Sequence, residues 1–276
     1  MVQRTPEEKR AGLPDEKRAI GWSALTSVNF AGTQIAIIAG LAVVVITAVE
    51  LAVRAFHIPS YVFPPPSEIF GALIRAFPLL WPHLLVTLQE LGIGYAIGAI
   101  IGIALAAIIT QFPFVEKIVT PYILVLVTTP MLALVPLLIL KFGFGQTPRV
   151  IAVALAVGPM VMINAATGFR RIDRAKIALA QSYGATTLQI FSKIRFPLAL
   201  PMIIVGLMVG GIFGLLTAIG AEMVGGGSGL GNRLVYYSSL ARMANFFAVI
   251  IIIAVIGITL YVTFYLVGKK WANWEA

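Results

Sequence analysis

The sequence predicts an all-α integral membrane protein of about six transmembrane helices. Three observations carry that expectation: a near absence of charge, long charge-free runs separated by short polar connections, and an uneven distribution of Lys and Arg between alternate connections. The 276 residues are 59% hydrophobic and only 11% charged, with a mean hydropathy of +0.97. A water-soluble domain carries about 25% charged residues. So little charge cannot cover a surface that faces water, so most of the surface must face lipid.

A helix crosses the hydrocarbon core with about 20 apolar residues. Charge-free runs of that length or more extend over 19–49, 91–115, 118–140, 150–169, 198–221 and 245–268. They place helices at 35–56, 84–110, 117–141, 147–168, 199–221 and 246–267. The remaining organisation is a tail at 1–34, an outer loop at 57–83, a helical core at 84–270 that includes the loop 170–197, and a short tail at 271–276. The first 18 residues are polar and charged, unlike a cleavable signal peptide. With the N-terminus inside, the inner segments hold fourteen Lys and Arg and the outer ones six. That bias puts both termini in the cytoplasm and makes the number of crossings even. It also explains the +9 net charge without a nucleic-acid partner.

Local chemistry refines this picture. In 57–83, the run Pro64-Pro65-Pro66 precedes Ser67, an N-cap residue type, and Ser67 to Phe77 reads as a short amphipathic helix at the outer interface. Pro130 and Pro136 interrupt the third span and predict a kinked or unwound helix. Such a break is tolerated at membrane depth only beside protein or a water-filled cavity, so Thr128, Thr129, Pro130 and Met131 are candidate pathway residues. The four-residue ridges Gly94-Gly98-Gly102 and Gly206-Gly210-Gly214 predict close helix packing within the subunit. Gly225 to Gly231 is glycine-rich but lacks the Lys-Ser/Thr ending of a phosphate loop, and reads as a tightly turning backbone.

Glu222 closes a charge-free run, and an acid there must be paired or wet. It is expected to act as a clamp or outer gate together with Met223, held by Arg233, by Arg242 or by glycine amides. Glu50 and Glu90 are expected at the outer interface. Cysteine is absent, and the two histidines, His57 and His83, are too scattered for a metal cluster. No convergent catalytic set is visible within the spans, so the chain reads as a non-enzyme.

Residues 170–197 form the most cationic connection. Ala175 to Tyr183 suits a short helix, Gly184 a turn, and Thr186 or Thr187 a cap for a second helix ending near Pro197. The segment reads Ala178-Leu179-Ala180, three residues, Gly184, nine residues, then Ile194-Arg195-Phe196-Pro197. This resembles the cytoplasmic loop of ABC importer membrane subunits, Glu-Ala-Ala, three residues, Gly, nine residues, Ile-x-Leu-Pro. Phe196 stands for Leu, and Ala178 stands where that family has Glu. The resemblance extends over most of 60–270. Pro64 to Glu68, Pro136 to Gly145, Ala221-Glu222-Met223 and Gly229-Leu230-Gly231 look like the nitrate/sulfonate/taurine/bicarbonate branch. Thr128 to Leu134 is closer to relatives proposed to carry pyrimidines, riboflavin or aromatic acids.

The resemblance implies a type I, MetI-like permease fold in the cell membrane, with the translocation pathway for a small anionic, aromatic or heterocyclic solute. It implies two ATPase subunits that bind ATP and Mg, a second permease copy, and an extracytoplasmic binding protein. This chain itself would hold no cofactor or metal. Ala178, Ala180, Tyr183, Gly184, Ala185, Ile194 and Pro197 would then form the ATPase-coupling knob. A secondary transporter is the alternative. It would require inverted repeats and acids at midplane, which the sequence does not display.

Overall fold

The computed structural model describes residues 32–271, and these are helical with short connections. The helices are α1 (Gly32–Ala55), α2 (Pro66–Gln111), α3 (Pro113–Thr128), α4 (Met131–Phe142), α5 (Gln146–Arg170) and α6 (Arg174–Ser182). They continue with α7 (Thr187–Ile190), a π-helical turn (Phe191–Arg195), α8 (Phe196–Gly225), α9 (Leu230–Ser239) and α10 (Met243–Trp271). Five helical stretches are long and apolar enough to cross a membrane, and the α3–α4 pair, bent by 98°, makes a sixth. The expected tails fall largely at 1–31 and 272–276, outside the described residues.

The centre of the bundle is α5, which is held between α2 and α8. Glycine is the reason these axes come so close. A β-carbon on Gly94 would stand 2.6 Å from Val153 Cβ, one on Gly98 2.7 Å from the Ala154 carbonyl, and one on Gly102 2.5 Å from the Gly158 carbonyl. On the opposite flank, Gly206, Gly210 and Gly214 of α8 meet Asn164, Val161 and Val157 in turn. Val153, Val157 and Val161 recur every four residues and are fully buried between the two ridges. Both glycine series thus pack within the chain, as the spacing predicts.

The order of these contacts settles the topology. Gly94, Gly98 and Gly102 meet α5 in ascending order, so α2 and α5 run parallel, whereas α8 runs antiparallel to α5. Parallel neighbours need one net crossing between them, and α3 with α4 supplies it despite the bend. One end of the bundle then carries the turn before α5 and the glycine loop after α8. The other end carries residues 171–195. The first end buries Leu80, Leu91, Leu215, Leu230 and Val249 in one cluster, and the second buries Ala106, Ile109, Met162, Phe169 and Ile203.

Four expectations are corrected. Ser67 to Phe77 is not a separate interfacial helix after a loop at 57–83, because α2 starts at Pro66 and runs unbroken for 46 residues. Pro78 and Pro82 lie inside it, and the packing of Ala76 and Leu80 into the core outweighs the amide bonds they forfeit. Ser67 is also not the N-cap: Pro65 occupies that position, and Ser67 donates through N and Oγ to Glu50 at 3.0 and 2.8 Å. The third span breaks only at Thr129–Pro130, since Pro136 lies within α4. Finally, the second arm of the 170–197 knob does not end before the fifth span. It runs from Thr187 through the π-helical turn into α8 as a single 39-residue helix.

Gly98→Ala and Gly102→Ala, which drive a methyl group into backbone carbonyls of α5, are expected to cost about 1–3 kcal/mol each. Gly92→Ala on the same helix meets nothing within 4 Å and is expected to be neutral or mildly stabilising. Thermal unfolding in detergent distinguishes the two classes.

Candidate functional site

At the end of the bundle that carries the glycine loop, four elements are tied together by buried polar groups. Arg149 lies in the first turn of α5, where the helix dipole disfavours a cation. It is only 3% exposed, and acceptors meet both of its terminal nitrogens while Nε has no partner among the described residues. Its Nη1 donates to Glu90 Oε1 of α2 at 2.8 Å and to the Ser228 carbonyl at 3.0 Å, and its Nη2 donates to the Gly226 carbonyl. Glu90 is 1% exposed, so neither charge is shared with solvent. The expected interfacial position for Glu90 is therefore corrected: it is the buried counter-ion of Arg149. Glu50 does sit in a polar surface cluster, with Arg54 Nε at 2.6 Å.

The loop is caught from the other side through its amides. Gly229 N donates to His83 Nδ1 at 3.2 Å, Leu230 N to Thr87 Oγ1 at 3.0 Å, and Gly231 N to Glu222 Oε2 at 2.6 Å. Thr87 Oγ1 in turn donates to Glu222 Oε1 at 2.6 Å. These consecutive amides are the otherwise orphaned donors at the start of α9, so side chains of α2 and α8 cap a helix on a third element. Glu222 also places a carboxylate at the N-terminus of α9, where the dipole favours it. Glycine is required for this closeness. A β-carbon on Gly229, whose φ is +103°, would collide with the Glu222 carboxylate, and one on Gly231 with the Ile219 carbonyl.

Of the three partners considered for Glu222, a glycine amide is the one present. Arg233 instead lies over the Tyr236 ring, 5.1 Å from its centroid. Sequence reasoning missed His83, Thr87 and Arg149 as members of this site. Their signal was present on α2: residues 83, 87 and 90 follow helical spacing and share one face. Met223, beside Glu222, is half exposed.

The other pathway candidates surround the α3–α4 break. Thr129, Pro130 and Met131 line a cavity of about 300 Å³ with Leu132 of α4, Pro159 and Met160 of α5, and Phe213 and Thr217 of α8. Thr128 is not part of it. Its hydroxyl bonds back to the Leu124 and Val125 carbonyls at 2.9 and 3.2 Å.

At the opposite end, residues 171–195 form a rigid projection. Asp173 caps α6 by accepting from Ala175 N at 2.8 Å. The helix stops in a Schellman arrangement: Gly184 N donates to Gln181 O and Ala185 N to Ala180 O, with Gly184 at φ +76°. Thr186 and Gln189 then form a reciprocal capping box for α7. The base is anchored by Phe169, whose ring is 5.3 Å from that of Phe191, and by the Arg170–Glu116 ion pair at 2.7 Å. Ala178 and Gly184 are exposed, as is Tyr183 at 84%, whereas Ala180, Ala185, Ile194 and Pro197 are half-buried and support the fold of the projection.

Arg149→Met, which leaves Glu90 buried without its counter-ion, is expected to cost about 3–5 kcal/mol. Adding Glu90→Leu removes the stranded charge, so the double variant is expected to unfold at a higher temperature than Arg149→Met alone. Thermal unfolding in detergent reads both.

Residues 98–273 match the family described as binding-protein-dependent transport system inner membrane component. The putative aliphatic sulfonates transport permease SsuC of Escherichia coli is 30% identical, over 85% of this chain and 90% of that protein. The riboflavin transport system permease RibX of Chloroflexus aurantiacus is also 30% identical, over 79% and 82%. The taurine transport system permease TauC of Escherichia coli is 28% identical, over 77% and 80%. Among solved structures, a chain of the inward-facing MetNI methionine ABC transporter superposes with a TM-score of 0.63. It is 16% identical and the match covers 71% of this chain and 97% of that one, which shows a common fold. The chain therefore belongs to the family of binding-protein-dependent transport system inner membrane components and is the membrane-spanning permease subunit of an ABC importer.

Proposed function

We propose that two copies of this chain form the pore of a cell-membrane importer, with the projection at 171–195 docked into a separate ATPase subunit on the cytoplasmic side. The observation that carries this reading is the projection itself. Its joints are fixed by two caps and a Schellman turn, yet Leu179, Tyr183 and Leu188 are left largely exposed at its tip. Exposed apolar side chains on a rigid, cationic loop are costly unless a partner covers them. The ATP and Mg needed for transport are bound by that partner, and this chain transmits the movement.

Six crossings, with the bent α3–α4 pair counted as one, support a reading in which both ends of the described chain share one side, and the Lys and Arg bias supports the cytoplasm as that side. The glycine loop and its ionic knot then face outward, where a binding protein delivers solute. There the knot ties α2, α5, α8 and α9 into one body, so this part of the outer face moves as a unit when the ATPase subunits close. Relatives for taurine, aliphatic sulfonates, riboflavin and formylaminopyrimidine are of similar identity, so overall similarity does not choose among solute classes.

Docking depends on surface shape at Gly184. A side chain there meets open space but must adopt φ +76°, which asparagine tolerates and tryptophan does not. Gly184→Trp is expected to abolish copurification of the ATPase subunit and solute-stimulated ATP hydrolysis while the permease still inserts and folds. Gly184→Asn is expected to retain both. Full ATPase recovery with Gly184→Trp would remove the docking assignment.

A further inference from the structure

The cavity at the α3–α4 break contains a hydroxyl with no visible use. Thr217 of α8 lines it and is 6% exposed, and its Oγ1 has no hydrogen-bond partner among the described residues. Several helical threonines do bond back: the hydroxyls of residues 47, 110, 128, 167, 259 and 263 each donate to a carbonyl one turn earlier. The Thr217 oxygen stays open to the cavity, so it is free to donate to a group that enters there.

A second set of free donors meets the same space. The helix α4 starts at Met131, directly after the break, and only its third amide, Ala133 N, is bonded back, to Pro130 O at 2.9 Å. The amides of Met131 and Leu132 have no backbone partner outside their helix, and both residues line the cavity. Apart from Thr129, whose hydroxyl is bonded to Val125 O, the rest of the wall is apolar and includes Leu126, Pro159, Met160 and Phe213, without an Asp, Glu, Lys or Arg. The buried cation Arg149 is taken up by Glu90 and two loop carbonyls.

From this we infer that the cavity is a transient binding site for an uncharged, flat heteroaromatic solute, whose ring nitrogen or carbonyl accepts from Thr217 and the start of α4. Methionine and phenylalanine walls favour a polarizable ring. A helix N-terminus contributes only about half a charge, too little to replace the hydration shell of a sulfonate where no side-chain cation lines the wall. The solute thus resembles a neutral pyrimidine more than an alkanesulfonate. This rests on the permease reading and names the solute class for it.

The chain has no cysteine, so single cysteines report without background. Thr217→Cys and Met160→Cys are made in the full chain in lipid vesicles, with Val44→Cys on the exposed face of α1 as the lipid-facing control. Each is treated with a charged, water-borne methanethiosulfonate. Both cavity variants are expected to react and the control to stay unreacted. At pH 8, 4-amino-2-methylpyrimidine at twice its dissociation constant is expected to slow both reactions about three-fold by simple occupancy, while ethanesulfonate at the same concentration leaves them unchanged. Should Thr217→Cys disturb folding, Met160→Cys carries the measurement alone. Cavity variants no more reactive than the control would overturn the site. No protection by the pyrimidine, or equal or stronger protection by ethanesulfonate, would overturn the solute class. Either failure is separable from failure of the permease reading, which the ATPase copurification reports independently.

Discussion

Everything else in this bundle depends on how closely α5 lies against α2 and α8. The two glycine ridges remove the side chains that would hold the axes apart, and a single valine row fills the space that remains. In lipid, helix association gains little from excluding apolar surface, so dispersion contacts at short range must carry it. That closeness is also what lets Arg149, at the start of α5, reach Glu90 on α2 and the loop after α8. A wider spacing would leave two buried charges out of range of each other. Packing comes first, and the ionic knot is built on top of it.

How much of this could be read from residues alone varied with the physics involved. Span positions and the glycine ridges were legible because apolar runs and four-residue spacing are local properties of the chain. The 170–197 projection was legible for the same reason: a cap, a turn glycine and a second cap sit within a few residues of one another. The role of Glu90 was not, because nothing local distinguishes an interfacial acid from one whose counter-ion lies 59 positions away. The continuous start of α2 was missed because Pro78 and Pro82 look like breaks when their tertiary support is unseen. Glu222 was recognised as needing a partner, but its choice of Thr87 and the Gly231 amide required the fold.

The two functional ends are built in opposite ways. The glycine-loop end is held by buried charge and hydrogen bonds between distant segments, while the projection is held by short-range caps and an aromatic base at Phe169. A device that must transmit movement benefits from a tip whose shape does not depend on the rest of the molecule. Ala178 fits that design. Where related loops carry an acid, this one presents a methyl group on a helix already fixed by Asp173 and the turn at Gly184. On the docking proposed above, contact at this joint would lean on shape and apolar surface rather than on charge.

The capping of α9 has a consequence for biogenesis. The amides at its start are satisfied by His83 and Thr87, more than 140 positions earlier in the chain, and by Glu222. Until the ribosome has delivered the segment after α8, Glu222 has no Gly231 amide to accept and Arg149 lacks two of its carbonyl partners. A nascent chain halted at α8 thus carries unsatisfied polar groups in its spans, the kind of defect that membrane quality control can sense. Emergence of residues 226–231 satisfies these groups together, so it is the point at which the knot on the earlier helices is complete.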